Sequence, residues 1–168
     1  GPINDILQSG NYLLSIINDI LDLARVEANK LILEEQVVDI NAIYPDLKSL
    51  FEPKLKTKNL NFIFETKVKA IKLYCDERLL KQMLINLIQN AVKFSSDNTQ
   101  IKLSANINQD NEISLSIIDE GCGIPKEMLG LVIEPFLQLN TTSTITHEGT
   151  GLGLSLVKSY IKEHQGQI

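Results

Sequence analysis

Residues 86–94 read N-L-I-Q-N-A-V-K-F, and this stretch places a polar stripe on a predicted helix whose other residues are mostly apolar. Asn86, Asn90 and Lys93 are four and three residues apart, so they fall on one side of that helix. An amide oxygen is a neutral, hard ligand that suits Mg²⁺, and a lysine one turn away can meet a terminal phosphate as a point charge. The stripe predicts a site for a magnesium-bound phosphate. Taken alone, the spacing also fits a solvated helix face.

A second motif, D-E-G-C-G-I-P, begins at Asp119, where an alternating apolar strand pattern ends. A carboxylate in this position, walled by apolar residues, can accept a hydrogen bond from an exocyclic amine such as that of adenine. Gly121 and Gly123 would let the backbone turn tightly beside such a base. Taken alone, this motif fits an ordinary turn better.

The third motif is G-T-G-L-G-L at residues 149–154, where a glycine run opens a helix whose free N–H groups attract phosphate. It is not a dinucleotide fingerprint, because it follows a polar loop and its glycines are not spaced G-x-G-x-x-G. In chain order the motifs supply metal and phosphate ligands, a carboxylate beside a pliable turn, and a phosphate-binding helix start. Together they describe a site for a magnesium nucleotide.

The composition narrows the class of protein. The 168 residues, 43% of them apolar and 22% charged, suffice for one globular domain with an appendage. The net charge of -5 argues against nucleic-acid binding, which needs a clustered cationic surface. No apolar run approaches the length of a membrane span, so we expect a cytosolic segment without membrane contact. Cys75 and Cys122 lack metal-ligand spacing and are expected to be free thiols.

Apolar periodicity predicts the order of elements. A helix from Ile3 to about Ala28 carries an apolar stripe wide enough to require a partner helix, in a bundle or a dimer, although packing on the following domain is an alternative. Asn29 is expected to end this helix, because asparagine tolerates the left-handed conformation. A long helix is expected from the N-cap Asp76 to about Phe94, with Leu80, Leu84, Leu87, Ile88 and Ala91 on its core side. The other predicted elements are a linker and short strand at 31–40, a helix at 41–58 that is interrupted or bent near Pro45 and Pro53, strands at 60–65, 70–74, 100–106 and 112–119, a short helix from Pro125, a helix at 152–164 and the start of a strand at 167–168.

Taken together, the motifs resemble those of the sensor histidine kinases of two-component signalling. Residues 86–94 look like their N box, 119–123 like the G1 box, 134–136 like the F box and 149–154 like the G2 box. Upstream, residues 13–31 are similar to the second helix of the dimerisation and phosphotransfer hairpin and its link to the catalytic domain. The resemblance covers nearly the whole chain.

This resemblance implies an α/β (α+β) two-layer sandwich, the Bergerat-type ATP-binding fold shared with gyrase-type and chaperone ATPases. Its mixed sheet is backed by helices and preceded by one long amphipathic helix. Residues 1–30 would be the second hairpin helix, with the first helix absent, and residues 31–168 a catalytic domain truncated at its C-terminus.

For the site, the resemblance implies that Asp119 reads adenine, Asn90 coordinates Mg²⁺, and Asn86 and Lys93 are the catalytic pair that contacts phosphate or metal. Phe94 would pack beside the base or sugar. The nucleotide-binding positions that it predicts are Asn86, Asn90, Lys93, Phe94, Asp119, Gly121, Gly123, Ile124, Gly149, Thr150, Gly151, Leu152, Gly153 and Leu154.

The implied reaction follows from one position. Hydrolytic relatives carry a water-activating Glu four residues before the metal-binding Asn, and here that place is Asn86, which cannot act as a base. The resemblance therefore implies transfer of the γ-phosphoryl group of ATP to a histidine, with Mg²⁺ and Lys93 offsetting charge. It also implies ADP as product, a response-regulator receiver domain as partner, homodimerisation of the full-length protein through the hairpin, and a cytoplasmic location compatible with a membrane anchor elsewhere.

Several features depart from the family pattern. No acceptor histidine followed by an acidic residue and a Pro-containing stretch is present, and His147 and His164 are expected to be structural or solvent-facing. Ile133 stands where many members have the first Phe of the F box, and the implied mobile lid at 137–148 has no Lys or Arg. A catalytically degenerate nucleotide-binding scaffold stays open, as does a serine kinase of the anti-sigma type, which would lack the helix at 3–28. The downstream motifs disfavour a purely helical dimerisation fragment.

Overall fold

The computed structural model describes residues 1–137 and 149–168, which belong to two compact units. The helical unit combines residues 1–32 with the described part of 126–168, and the sheet unit consists of residues 33–125. Apart from Leu137, the predicted lid at 137–148 lies outside the described residues, and so does His147. No helix within the described ranges combines the length and the apolar character needed to cross a membrane.

The helical unit contains α1 (Pro2–Glu27), a short 3-10 turn (Lys126–Met128) and α4 (Gly153–Glu163). The end of α1 is defined by Asn29, which adopts the left-handed conformation with φ 51°. There the N–H of Asn29 donates to Val26 O at 3.0 Å and the N–H of Lys30 donates to Arg25 O at 2.9 Å. This pair of bonds satisfies carbonyls that a helix end leaves unpaired, so the predicted stop at Asn29 is confirmed.

The apolar stripe of α1 is exposed in the structure. None of the α1 residues is buried, and Ile3 is 75% exposed. The exposed large apolar side chains of this helix are Ile3, Ile6, Leu7, Tyr12, Leu13, Leu14, Ile17, Ile20 and Leu21. A partner helix for this stripe stays a prediction.

The sheet unit contains five strands and two helices. In chain order these are β1 (Glu35–Asp39), α2 (Ile40–Thr57), β2 (Asn61–Thr66), β3 (Lys72–Asp76), α3 (Glu77–Phe94), β4 (Gln100–Ile107) and β5 (Ile113–Ile118). One sheet has the order β2-β4-β5, with β2 parallel and β5 antiparallel to β4. The expected mixed sheet is therefore confirmed, while β1 and β3 form a separate antiparallel pair.

The core of the sheet unit follows the predicted periodicities. Strand β4 buries its alternating residues Ile101, Leu103 and Ala105, as a strand with one covered face must. The buried apolar residues of the two helices are Ile40, Ile43, Leu47, Phe51 and Leu55 in α2, and Leu79, Leu80, Met83, Leu84, Ile88, Ala91 and Val92 in α3.

Three local expectations need correction. Helix α2 runs without interruption through Pro45 and Pro53. Leu87, expected on the core side of α3, is half-buried. No strand forms at 167–168, because those residues pair with no other strand of the described chain.

Candidate nucleotide site

The start of α3 is fixed by a buried carboxylate. Asp76, 2% exposed, accepts hydrogen bonds from the N–H groups of Leu79 and Glu34, each at 3.1 Å. Burial opposes ionisation, but the bonds from Glu34 and Leu79 and the charge of Arg78 together hold the pKa of Asp76 below its usual value. An anion at a helix N-terminus is stabilised by the helix dipole, so Asp76 sets where α3 begins.

The polar stripe of α3 is partly enclosed. Asn86 is 8% exposed, and its Oδ1 lies 3.5 Å from Gln82 Nε2, while Asn90 and Lys93 are half-buried. Lys93 Nζ lies 5.0 Å from the centroid of the Phe94 ring, a cation–π distance. The last two turns of α3 therefore carry the amide of Asn90, the ammonium of Lys93 and the aromatic ring of Phe94 close together along the chain.

The end of α3 meets the turn after β5. Ser95 and Gly121 form an antiparallel bridge, and the N–H of Ser95 donates to Ala91 O at 2.9 Å. A Cβ added to Gly121 would lie 2.7 Å from both Phe94 O and Asp119 Oδ1, closer than real Cβ atoms approach. Glycine is thus required by this close approach, which brings the first two sequence motifs together.

Asp119 is tied into that turn. Its Oδ1 accepts a hydrogen bond from the N–H of Gly121 at 2.8 Å, and a carboxylate has acceptor capacity beyond one bond. The neighbouring Glu120 accepts from the N–H of Gln100 through Oε1 at 3.2 Å and from the N–H of Ser96 through its carbonyl at 3.5 Å. The turn is therefore anchored to both the end of α3 and the start of β4.

The surroundings of Asp119 differ from the expected apolar wall. Asp119 is exposed, and the flanking Ile118 and Ile124 are 50% and 44% exposed. Within the described residues, β5 pairs with β4 on one side alone, so the end of β5 stands at a sheet edge. Gly123, in the same turn, has φ 71°.

The third motif lies in the helical unit. Gly151 has φ 70°, and a Cβ there would meet Phe136 Cα at 3.1 Å, while the N–H of Phe136 donates to Gly151 O at 3.0 Å. Helix α4 begins at Gly153, and its N-cap residue, Leu152, has no side chain that could hydrogen-bond the helix N–H groups. Its first N–H groups are of the kind that bind phosphate. Leu152 is fully buried and Leu154 half-buried, so the Leu152 side chain is core and its predicted role would rest on the backbone.

Side chains of α1 hold this glycine segment, and no local pattern in the sequence predicts these contacts. Thr150 Oγ1 donates to Asp19 Oδ2 at 3.1 Å, and Tyr12 OH donates to Gly149 O at 2.9 Å. Burial raises the pKa of the Asp19 carboxyl; the bond from Thr150 opposes this and the charge of Asp22 adds to it. Within the helical unit, α1 also receives a hydrogen bond from Tyr160 OH of α4 to Asp22 Oδ2 at 3.1 Å.

The predicted site residues thus fall into two groups. The sheet unit holds Asn86, Asn90, Lys93, Phe94, Asp119, Gly121, Gly123 and Ile124, and its Ser95–Gly121 bridge joins the end of α3 to the turn that carries Asp119. The helical unit holds Gly149, Thr150, Gly151, Leu152, Gly153 and Leu154 as one segment.

Residues 75–168 match the family described as histidine kinase-, DNA gyrase B- and HSP90-like ATPases. This match covers more than half of the chain, and the chain belongs to that family. The expected fold class is confirmed by the solved structures that resemble it.

Two curated relatives span the chain almost completely. The Non-motile and phage-resistance protein of Caulobacter vibrioides is 34% identical over 169 residues, covering 99% of this chain and 20% of that protein. The Cell-division control histidine kinase PdhS of Brucella canis is 28% identical over 173 residues, covering 98% of this chain and 17% of that protein. The chain therefore spans about a fifth of the length of these relatives.

Two solved structures extend the comparison. Full-length ShkA in complex with AMPPNP has a TM-score of 0.83 and 28% identity, over 95% of this chain and 33% of that one. The histidine kinase ThkA in complex with the response regulator protein TrrA has a TM-score of 0.74 and 28% identity, over 98% of this chain and 44% of that one.

Proposed function

We propose that this chain is the ATP-binding catalytic part of a sensor histidine kinase. It would transfer the γ-phosphoryl group of ATP to a histidine on a hairpin helix, for relay to an aspartate of a response regulator. The observation that carries the proposal is the Ser95–Gly121 bridge, because it joins the end of α3 to the turn that carries Asp119 in a chain of this ATPase family.

Each residue of the sheet unit has a proposed task. Asp119 accepts a hydrogen bond from the exocyclic amine of adenine, and Phe94, 41% exposed, packs beside the base or sugar. Lys93 neutralises charge on the terminal phosphates. The glycine segment 149–154, described within the other unit, keeps its predicted phosphate-binding role as part of the proposal.

The donor set of α3 fits Mg²⁺, because this cation commonly takes one or two protein oxygens and completes its shell with phosphate oxygens and water. Asn90 would supply the amide oxygen. When bound, Mg²⁺ supplies charge neutralisation at the phosphate groups.

The proposed chemistry is transfer and not hydrolysis. A nitrogen of the acceptor imidazole forms a bond to the γ-phosphorus as the bond to the β–γ bridging oxygen breaks, and ADP leaves. Asn86 has no basic oxygen with which to take a proton from water, and its Oδ1 lies near Gln82 Nε2. Asn86 would contact phosphate or metal, so water is not activated at this position.

The partners belong to the same proposal. The complex of ThkA with TrrA supports a response-regulator receiver domain as the acceptor of the relayed phosphoryl group. The exposed apolar stripe of α1 supports association of the full-length protein with a second copy through its helical hairpin. A cytoplasmic location of this segment is proposed with them.

The proposal is tested by supplying the acceptor. The chain is incubated with Mg²⁺ and γ-labelled ATP, with and without the complete helical hairpin of the same full-length protein as a separate dimer. We expect acid-labile phosphate on the hairpin histidine, reduced at least about tenfold by Lys93→Ala. Lys72→Ala, at an exposed lysine of β3, is the matched control and should leave labelling unchanged.

Two outcomes contradict the proposal. Labelling of His147 or His164 in the chain alone would indicate another phosphotransfer arrangement. Rapid release of inorganic phosphate without the hairpin would indicate a hydrolase.

A further inference from the structure

Lys58 caps the C-terminal end of α3 from another element. It follows the last residue of α2, and its Nζ donates to Val92 O at 2.9 Å, Lys93 O at 3.0 Å and Ser95 O at 3.0 Å. A lysine ammonium carries three donors and no acceptor. All three donors of Lys58 therefore have backbone partners at one helix end.

The carbonyls that Lys58 binds are those that a helix cannot satisfy itself. The last four C=O groups of an α-helix lack intrahelical partners, and a cation there also interacts favourably with the helix dipole. Ala91 O accepts from the N–H of Ser95 at 2.9 Å, and Lys58 Nζ donates to the carbonyls of Val92, Lys93 and Ser95. Lys58 thereby completes the turn at Ser95, where the chain leaves the helix with φ -63° and ψ 144°.

The backbone that carries Lys58 is itself held in place. Its carbonyl accepts from the N–H of Asn98 at 3.0 Å, and Asn59 Nδ2 donates to Asn98 Oδ1 at 2.7 Å. Asn59 and Asn98 both adopt the left-handed conformation, with φ 50° and 63°. Hydrogen bonds to Asn98 therefore hold the backbone from which the Lys58 ammonium reaches α3.

We propose that Lys58 is a positioning residue for the nucleotide site. By binding the carbonyls of Val92, Lys93 and Ser95, it holds the last turn of α3 in the orientation in which the Lys93 side chain meets phosphate. Since Ser95 also bridges Gly121, the same cap fixes the spacing between Lys93 and Asp119. Lys58 would act through the end of α3 without contacting the nucleotide, and the inference rests on the proposed function.

A double-mutant cycle tests this role. The affinity of the chain for ADP with Mg²⁺ is measured by calorimetry for the unaltered chain, Lys58→Met, Lys93→Ala and the double variant. We expect Lys58→Met to weaken ADP binding on the order of fivefold, and less than about twofold when Lys93 is already Ala, because contacting residues couple by this much. Loss of stability alone would act equally in both backgrounds.

Lys56→Met is the matched control. Lys56 lies two residues earlier, is exposed, and pairs with Glu52 at 2.7 Å, so it carries the same charge change without the cap. ADP affinity should be unchanged in it. Where circular dichroism shows that Lys58→Met does not fold, the cycle is run with Lys58→Gln, which keeps amide donors, and the same coupling is expected.

The possible failures are distinguishable. An unaltered chain that binds no ADP, or a Lys93→Ala variant that binds as tightly as the unaltered chain, overturns the proposed function. Equal affinities of the unaltered and Lys58-altered chains, or effects of Lys58 and Lys93 that multiply without coupling, overturn this inference alone.

Discussion

Thr150 Oγ1 and Asp19 Oδ2 lie 3.1 Å apart, so the glycine segment and α1 share a hydrogen bond across 131 residues of sequence. The same hydroxyl accepts from the N–H of Leu152 at 3.1 Å, one residue before α4 begins. Thr150 therefore links α1 by hydrogen bonds to the residue that precedes α4 within the helical unit.

The variant Asp19→Asn tests the electrostatic side of this contact. The pKa of Asp19 is raised in the folded chain by burial, with Asp22 adding and Thr150 opposing. A raised carboxyl pKa contributes stability that is fully present below the unfolded pKa and lost as pH rises through the folded pKa. We therefore expect Asp19→Asn, which keeps an acceptor for Thr150, to be at least as stable as the unaltered chain at neutral pH.

Thermal unfolding followed by circular dichroism between about pH 3 and about pH 7 measures this difference. The advantage of the Asn variant should shrink as the medium becomes acidic. An Asn variant that is less stable at neutral pH than in acid, relative to the unaltered chain, would contradict the assignment.

The two thiols should react at different rates. Burial raises the pKa of the Cys75 thiol to about 11, with the charges of Asp76, Glu35 and Glu77 adding, whereas Cys122 is exposed between Gly121 and Gly123. Only the thiolate is nucleophilic, so iodoacetamide near neutral pH should label Cys122 and spare Cys75. Mass spectrometry of the digested chain reports both sites.

A ligand effect on the same reaction bears on the site. Saturating ADP with Mg²⁺ should slow labelling of Cys122, because the proposed base pocket adjoins its turn, and urea should make both thiols react. Equal labelling of Cys75 and Cys122 in the folded chain would contradict the burial argument.

Asp119→Ala should weaken ADP binding at least about tenfold. Removing a charged group that a ligand hydrogen-bonds costs about 1.5–3 kcal/mol, and each 1.4 kcal/mol is about a factor of ten in affinity. Calorimetric titration gives the affinity, with Asp110→Ala as the control of equal charge. An unchanged affinity would move base recognition away from Asp119.

Asn90→Ala should lower the affinity for ATP in the presence of Mg²⁺ more than in its absence. In the proposed site the lost amide oxygen would act on the cation, whereas Asp119 would hold the base separately. Parallel titrations with Mg²⁺ and with a chelator measure the two affinities, and Gln89→Ala, at the exposed neighbouring position of α3, is the control. Equal losses under both conditions would remove Asn90 from the metal site.

Gly121→Ala should destabilise the chain by about 1–3 kcal/mol, because its methyl group would overlap Phe94 O and Asp119 Oδ1. ADP affinity should fall with it, since Phe94 and Asp119 both belong to the proposed site. Urea unfolding measures the stability, and Gly130→Ala, where nothing lies within 4 Å, should change it by less than about 0.5 kcal/mol. A neutral Gly121→Ala would show that the bridge to Ser95 is not tight.

Much of the fold could be predicted because its signals are local. The N-cap at Asp76 and the left-handed stop at Asn29 depend on a few adjacent residues, and the alternation in β4 reflects one covered face. The three motifs likewise lie where their residue patterns predict, on α3, in the turn after β5 and at the start of α4. Local structure that such short-range patterns determine depends little on distant segments of the chain.

What sequence could not give was the contact that joins distant segments. A lysine after a helix is common on surfaces, and nothing near Lys58 in sequence indicates that it binds carbonyls at the end of α3. The bonds of Tyr12 and Asp19 to the glycine segment have the same character. The exposure of Asp119 also depends on which strands flank β5, a property of the sheet and not of the motif.

The parallel pairing of β2 with β4 governs when the nucleotide site can exist during folding. Asn61 lies opposite Gln100, and β3 and α3 occupy the chain between these strands. Closing such a long-range pair costs loop entropy before its contacts are made, so this step is slow relative to helix formation. Helix α3 can gain its shape early, but Asp119 reaches the end of α3 only after β4 and β5 have joined the sheet. A chain emerging from the ribosome would therefore be helical well before it could hold ATP.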